Sequence, residues 1–175
     1  MQTNKANAKG NAEPANQVES AETKQIVVFK QGEEHYALSI DQIKEVVLTP
    51  SMTKLPQTPD FVRGVANIRG NIIAILDLER KFQLVTDQDP NRHKKFTLVI
   101  ASEDYKIGLL VENVPNTMAI NTSEIDDAVN IIQDGSVDQS YISGIIKKED
   151  QLIILIDILK ILGESEAQLV GQLNN

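Results

Sequence analysis

Short apolar runs separated by turn-forming residues follow one another along most of the chain. Residues 26–29 form the first run, and in residues 35–40 the side chains of Tyr36, Leu38 and Ile40 share a face by period-two alternation. No long helical pattern separates successive runs, so parallel crossover units are not expected. The pattern predicts about ten short strands arranged in small barrels. The predicted strands cover residues 26–29, 35–40, 46–48, 65–68, 72–76, 96–101, 105–111, 118–120, 142–146 and 152–156.

Helical turns are predicted at three places between or after these strands. The first is started by Ser39 with Asp41 and runs through Ile43. The second follows Asp77 and the last follows Asp157, since an aspartate can cap the free amides at a helix start. Residues 158–162 give the last helix an apolar stripe, and Gly163 is expected to stop or kink it. These elements are short, so the fold is expected to depend on strands.

An internal repeat indicates how the predicted strands are organised. Residues 64–78 and 144–158 align without a gap in their first glycine, in their aspartate and in the apolar run before that aspartate. Residues 69–71 are expected to form the turn of the first copy, with Gly70 and Asn71 as the residues that tolerate a positive φ. One strand–turn–strand unit used twice predicts two similar lobes. Neither copy contains a recognisable catalytic motif, which favours a binding module.

Composition supports a β-rich protein with an aliphatic core. The apolar fraction is 41%, whereas aromatic residues make up 4% and tryptophan is absent. Isoleucine, valine and leucine must therefore fill the core, and β-branched side chains suit strands. The chain has no cysteine, which excludes disulfides, thiolate metal ligands and a cysteine nucleophile.

Charge and hydropathy restrict the partners and the compartment. The net charge of −8 disfavours nucleic-acid binding, which needs clustered lysine and arginine. The densest basic group, residues 92–95, is interpreted as a solvated connection. Residues 1–24 are polar and are expected to form a disordered tail. No signal peptide or membrane-spanning segment is visible, so we expect a cytoplasmic protein without direct membrane insertion.

Motifs for catalysis, metals and nucleotides are incomplete or missing. The two histidines, His35 and His93, are far apart in the sequence, and a calcium-like stretch beginning at Asp87 has Leu98 where a bidentate carboxylate is required. No phosphate-binding glycine loop and no nucleophile elbow occur. Asp77 and Asp157 could serve an enzyme, but capping of helical turns explains them better. The sequence therefore predicts a protein that is not an enzyme and has no cofactor.

Two charged residues stand in otherwise apolar strand regions. Glu45 precedes the apolar residues 46–48, and Arg69 lies at the tip of the first repeated hairpin. They could be ordinary solvated surface residues. Alternatively, they could form a pair that lines a groove between the lobes, because an arginine fork can hold and orient a carboxylate. Both interpretations remain open at this stage.

Several segments together resemble the CheW family of chemotaxis coupling proteins. The similarity runs from about Gln25 to about Gly163, and its most specific part lies between Pro59 and Leu78. The residues and segments that carry it are Phe29, Tyr36-x-Leu38-x-Ile40, Ile43-Lys44-Glu45-Val46, Pro59-Asp60-Phe61-Val62-Arg63-Gly64-Val65, Asn67-Ile68-Arg69-Gly70 and Ile75-Leu76-Asp77-Leu78.

The resemblance implies an all-β fold with two SH3-like five-stranded β-barrel subdomains packed on a shared hydrophobic interface, with short helices and a C-terminal helix. The CheW-like domain would cover residues 25–163, with repeats at about 25–84 and 96–163, and residues 164–175 would form a tail or helix end. The implied function is a non-enzymatic adaptor that couples methyl-accepting chemoreceptors to a CheA-type histidine kinase. A scaffold for another receptor–kinase pathway, such as surface motility, is the alternative.

The resemblance also implies where the partners bind. A receptor-binding groove would include Ile43, Glu45 and Arg69 from the first half and Gly108 and Val114 from the second. The receptor tip is a helical hairpin, so a helix would lie in an apolar groove. The kinase would contact the exposed ends of the barrels, at turns that the sequence does not identify.

Overall fold

The computed structural model describes residues 21–84, 94–127 and 140–173, which fold into eleven strands and three short α-helices. The predicted all-β class is confirmed. The strands are β1 (Thr23–Gln31), β2 (Glu34–Ser39), β3 (Ile43–Leu48), β4 (Val62–Ile68), β5 (Asn71–Leu76), β6 (Phe96–Ile100), β7 (Ile107–Val111), β8 (Asn116–Asn121), β9 (Ile125–Asp126), β10 (Ile142–Lys148) and β11 (Gln151–Ile156). The helices are α1 (Leu78–Lys81), α2 (Ile158–Ile161) and α3 (Glu164–Leu173).

The strands form two sheets, and each sheet combines strands from both sequence repeats. The six-stranded sheet has the order β8-β1-β2-β11-β10-β9, and the five-stranded sheet has the order β3-β6-β7-β5-β4. Within each sheet, strands of the two repeats meet in a parallel pair: β2 pairs with β11, and β5 pairs with β7. Two lobes are therefore present, but neither lobe is built from one contiguous repeat.

The repeated hairpins β4–β5 and β10–β11 share their local geometry. Their antiparallel pairings both shift register at the strand start, between Val62 and Gly64 and between Ile142 and Gly144. Gly64 has a φ of 142°, and a Cβ there would collide with the carbonyl of Thr53. A glycine is required at this bulge because the neighbouring chain approaches its backbone closely.

Three apolar clusters form the interior. Each sheet curls around its own small core, and their other faces pack together in a third cluster, called here the interface core. This cluster contains Phe29, Tyr36, Leu38 and Ile156 from the six-stranded sheet and Leu76, Leu98 and Leu109 from the five-stranded sheet. The shared hydrophobic interface expected from the resemblance is thus present.

Several element boundaries differ from the prediction. β1 begins at Thr23, two residues inside the expected tail, because Thr23 and Lys24 pair with β8. Residues 1–20 of that tail lie outside the described residues. The first hairpin turn has positive φ at Arg69 and Gly70, whereas Asn71 already belongs to β5. The turn therefore lies within the predicted residues 69–71, but Arg69 takes the positive φ that was expected of Asn71.

The C-terminal helix is divided in two. α2 ends at Ile161, and Gly163 separates it from α3, as the sequence predicted for this glycine. α3 is not an isolated tail, because Val170 is fully buried in the interface core. Lys81 of α1 also forms a salt bridge with Glu166 at 2.5 Å. The folded unit therefore extends through α3.

Candidate functional site

A salt bridge between Glu45 and Arg69 joins two edges of the five-stranded sheet. Glu45 lies on β3 and Arg69 directly follows β4, and these strands are the opposite edges of the sheet. Arg69 Nε donates to Glu45 Oε2 at 2.7 Å. The predicted pairing is present. The expected location between the lobes is wrong, because both residues belong to the same curled sheet.

The Glu45–Arg69 pair lies on the rim of a cavity of about 400 Å³ at the open end of this curled sheet. Ile68, Ile73 and Val99 line the cavity and also belong to the core of the five-stranded sheet. Other charged side chains at the opening are Lys44, Glu103 and Lys106. The cavity therefore has an apolar floor and a charged rim, a composition typical of sites that bind another molecule.

A bulge at Lys44 sends Ile43 and Glu45 to different faces of β3. The register pairs Ile43 with Ile100 and Glu45 with Val99, skipping Lys44. Side chains that pair across antiparallel strands point to the same face. Ile43 thus packs against the interface core, whereas Glu45 faces the cavity that it lines with Arg69.

β3 extends the interface core to the surface. Val46 pairs with Leu98 and Leu48 pairs with Phe96, and both partners belong to or pack against that core. Yet Val46 and Leu48 are exposed, and Leu48 retains 72% of its accessible surface. Ile43, Val46 and Leu48 are called here the β3 margin. This margin was not predicted as a unit, because the bulge at Lys44 breaks the period-two alternation between Ile43 and Val46.

Neither of the two predicted groove residues of the second half belongs to the β3 margin. Gly108 is buried in β7, where an added Cβ would press on Thr97 and Ile75. The structure therefore gives this glycine a packing role. Val114 follows β7 and is 63% exposed. Of the five predicted residues, Glu45 and Arg69 are in direct contact, and a receptor-binding role for all five remains a prediction.

Lys94 lies in a buried ion cluster that the sequence did not predict. Lys94, interpreted from the sequence as part of a solvated loop, has a side chain only 7% exposed. Its Nζ lies 2.6 Å from Asp77 Oδ1 and 3.4 Å from Glu79 Oε2. The solvated interpretation is wrong for Lys94, because two carboxylates from α1 and its cap hold it in the interior. Residues 92 and 93 lie outside the described residues.

Both repeated aspartates cap helices. Asp77 accepts a hydrogen bond from the backbone of Glu79, and Asp157 accepts one from Leu159, each at 3.1 Å. The capping interpretation made from the sequence is therefore confirmed. Asp157 also accepts a hydrogen bond from Gln42 at 3.2 Å.

Four stacked aromatic rings connect the six-stranded sheet with the end of α1. The ring of Tyr36 lies 6.4 Å from Phe29 and 5.6 Å from Phe82, and Phe82 lies 5.2 Å from Tyr141, measured between centroids. Burial, together with the neighbouring Tyr141 and Glu34, raises the pKa of Tyr36 to about 12, and burial is the largest of these causes. The hydroxyl therefore stays protonated at neutral pH.

The part of the chain that the structure describes contains neither a candidate metal site nor a candidate membrane-spanning helix. No group of three histidine, cysteine, aspartate or glutamate side chains is placed to hold a metal ion within residues 21–84, 94–127 and 140–173. In the same ranges, no helix has the length and hydropathy needed to cross a membrane. The calcium-like stretch beginning at Asp87 lies outside these ranges.

Comparisons with known proteins agree on one family. A family model described as the CheW-like domain matches residues 25–166. The chemotaxis protein CheW of Helicobacter pylori is 30% identical over 83% of this chain and 86% of its own length, and that of Treponema pallidum is 27% identical over 85% and 88%. The crystal structure of the scaffolding protein TtCheW from Thermoanaerobacter tengcongensis superposes with a TM-score of 0.69 at 29% identity, covering 90% of this chain and 94% of TtCheW.

Proposed function

This chain belongs to the CheW family of chemotaxis scaffolding proteins, and we propose that it couples the tips of methyl-accepting chemoreceptors to a CheA-type histidine kinase at the inner face of the membrane. The family consists of adaptors and not of enzymes. An adaptor acts through its surfaces, so the proposal has to identify a surface for each partner.

The observation that carries the receptor part of the proposal is the β3 margin beside the Glu45–Arg69 pair. Val46 and Leu48 are exposed large apolar residues that continue the interface core, and buried apolar area is the main source of affinity in such contacts. An amphipathic helix can bury its apolar face along such an edge. Glu45 points to the opposite face of this edge strand, so the Glu45–Arg69 pair would border the docked helix and orient it.

The kinase is proposed to contact the ends of the two curled sheets. Ile72 and Leu152 occupy equivalent positions in the repeated hairpins, each as the second residue of its strand, and both are exposed. One of them lies in each sheet, so the molecule presents an apolar residue at two separate hairpin ends. A partner with a similar fold could bury either end, which would leave the β3 margin accessible to a receptor.

We expect Arg69→Glu to weaken receptor binding without unfolding the protein. The substitution would place two carboxylates together on the cavity rim, where like charges repel. The arginine side chain is 74% exposed, so its salt bridge contributes less than about 1 kcal/mol to stability. Receptor recovery in a pull-down should fall roughly tenfold, whereas the thermal midpoint should change by less than about 3 °C.

Two further variants control for the change in charge. Lys147→Glu alters the net charge equally at an exposed site on β10, in the other sheet, and should bind receptors normally. The double variant Glu45→Arg with Arg69→Glu rebuilds the pair with its charges exchanged and should recover part of the binding. Receptor recovery unchanged in a folded Arg69→Glu protein would refute the assigned receptor surface.

A further inference from the structure

The ion cluster around Lys94 continues into the other sheet through a glutamine. Gln31, at the end of β1, is fully buried, and its Oε1 accepts a hydrogen bond from Lys94 Nζ at 3.0 Å. Its Nε2 donates to the carbonyl of Leu110 on β7 at 2.9 Å. β1 belongs to the six-stranded sheet and β7 to the five-stranded sheet, so this one side chain connects both sheets.

A second contact next to it strengthens the connection. The backbone N–H of Gly32 donates to Glu79 Oε1 at 2.6 Å, and Glu79 also lies beside Lys94. Glu79 belongs to α1, which follows β5 of the five-stranded sheet. Gln31, Gly32, Glu79 and Lys94 are called here the polar clasp. Hydrogen bonds buried from water are strong and directional, so the clasp restricts movement between the sheets more than apolar packing alone.

The second repeat shows that the capping aspartate does not itself require a buried cation. Asp157 is the equivalent of Asp77, and its cross-sheet partner is Gln42, in the turn before β3. The nearby Lys160 lies 3.8 Å away and is 61% exposed. Equivalent junctions thus differ. The first is a buried ion cluster, whereas the second has a partly buried hydrogen bond from Gln42 and an ion pair with the exposed Lys160. Helix capping does not explain the extra polar groups of the clasp.

The clasp is directly connected to the β3 margin. Lys95 follows Lys94, and its carbonyl accepts a hydrogen bond from the backbone N–H of Thr49 at 2.8 Å. Thr49 follows Leu48, which pairs with Phe96 at the start of β6. A change in the position of Lys94 would therefore be transmitted over two or three residues to the exposed end of the margin.

We propose that Gln31 and Lys94 are positioning residues for receptor binding. They hold the two sheets in one relative orientation and so keep the β3 margin in the shape that a receptor helix recognises. The part concerning binding rests on the proposed function, whereas the part concerning orientation does not. Neither residue contacts the receptor in this account.

The orientation can be measured on the purified chain by pulsed electron paramagnetic resonance. The sequence has no cysteine, so Ile72→Cys on the five-stranded sheet and Lys147→Cys on the six-stranded sheet would carry the only two spin labels. The parent should give a single narrow distance distribution. Gln31→Met, which removes both bonds without leaving a charge unpaired, should broaden or shift it. Without labels, Gln31→Met should reduce receptor recovery roughly three- to tenfold.

The matched control is Gln42→Met. Gln42 also reaches the other sheet, but its bond to Asp157 is only partly buried, so water can replace it. This variant should keep the parent distance distribution and receptor recovery. If Gln31→Met does not fold, Lys94→Met combined with Glu79→Gln removes the bond to Gln31 while keeping the charges balanced, and it should also broaden the distribution.

Three results would overturn the proposal. The first is a parent-like distance distribution in folded Gln31→Met, or in the double variant where that one is used. The second is a changed distribution with undiminished receptor recovery. The third is an equal broadening in Gln42→Met. A parent chain that recovers no receptor would instead refute the proposed function, and the distance measurement would still decide whether the clasp fixes the orientation.

Discussion

Tyr36 is a residue whose ionisation is coupled to folding. It lies on β2 in the interface core, with the rings of Phe29 and Phe82 stacked on either side. Burial is the largest cause of its raised pKa, about 12 against an ordinary value of 10.0. In the unfolded chain the hydroxyl would lose its proton at the lower value. Stabilisation from the protonated form is therefore complete below pH 10 and is lost as the pH rises towards 12.

We expect the free energy of unfolding to fall between pH 10 and pH 12, and to fall less steeply in Tyr36→Phe. The unfolded state binds fewer protons than the native state in this window, so raising the pH favours unfolding. Urea denaturation at half-unit pH intervals would measure both slopes. Comparison with Tyr36→Phe isolates the contribution of Tyr36 to the slope. Identical slopes for the two proteins would contradict the assignment.

Individual residues were predictable where their partners are set by local geometry. Asp77 and Asp157 were recognised as caps because a cap bonds to an amide two residues ahead. Lys94 was misinterpreted because its neighbours in sequence are polar, whereas its acceptors lie on Asp77, Glu79 and Gln31. No pattern within a short window shows such a long-range cluster. Arg69 and Glu45 were found because charges stood out within apolar strands.

α3 is the element whose role the sequence understated. The domain expected from the sequence ends at residue 163, and the match to the family model ends at residue 166, within α3. Val170 is nevertheless fully buried, and Ala167 and Leu173 pack against the interface core. The helix has only ten residues and would be marginal in isolation. Tertiary packing must therefore stabilise it.

We expect Val170→Ala to lower the free energy of unfolding by about 1–3 kcal/mol, because it leaves a void in the interface core. Gln168→Ala, at an exposed position on the same helix, should change it by less than about 0.5 kcal/mol. Urea denaturation followed by circular dichroism would measure both. Equal stabilities for the parent and Val170→Ala would show that α3 is not part of the folded unit.

Most strands could be predicted because alternation and turn residues are local signals. β2, β5 and β11 agree with the sequence to within one residue at each end. β9 has only two residues and was not predicted, since its pairing depends on the bulge beside Gly144. Such short pairings are set by the fold of the neighbouring hairpin and leave no pattern of their own.

At the scale of the whole molecule, the exchange of strands between repeats is the main feature that the sequence did not show. The repeat predicted two lobes, and alternation predicted the strands. Pairing partners such as β2 with β11 are more than 100 residues apart, as Tyr36 and Ile154 illustrate. The hydrophobic pattern is the same whichever copy supplies the partner. The sequence therefore predicted the number of lobes but could not assign strands to them.

Because each sheet combines strands of both repeats, we expect that neither half of the chain folds alone. Fragments 1–88 and 89–175 each contain strands of both sheets but lack the partner strands of the parallel pairs. Each fragment alone should show no cooperative unfolding transition. An equimolar mixture should regain the circular dichroism spectrum and cooperative unfolding of the intact chain. Cooperative unfolding of one fragment by itself would contradict this arrangement.

The central claim is that one chain binds a receptor and a histidine kinase at the same time through different surfaces. Sedimentation of receptor-containing membranes with the purified kinase, both from the source organism, tests this most directly. The account predicts that the kinase sediments with the membranes when this chain is added, and that Arg69→Glu greatly reduces this effect. A kinase that stays in the supernatant while the chain itself sediments would contradict the account.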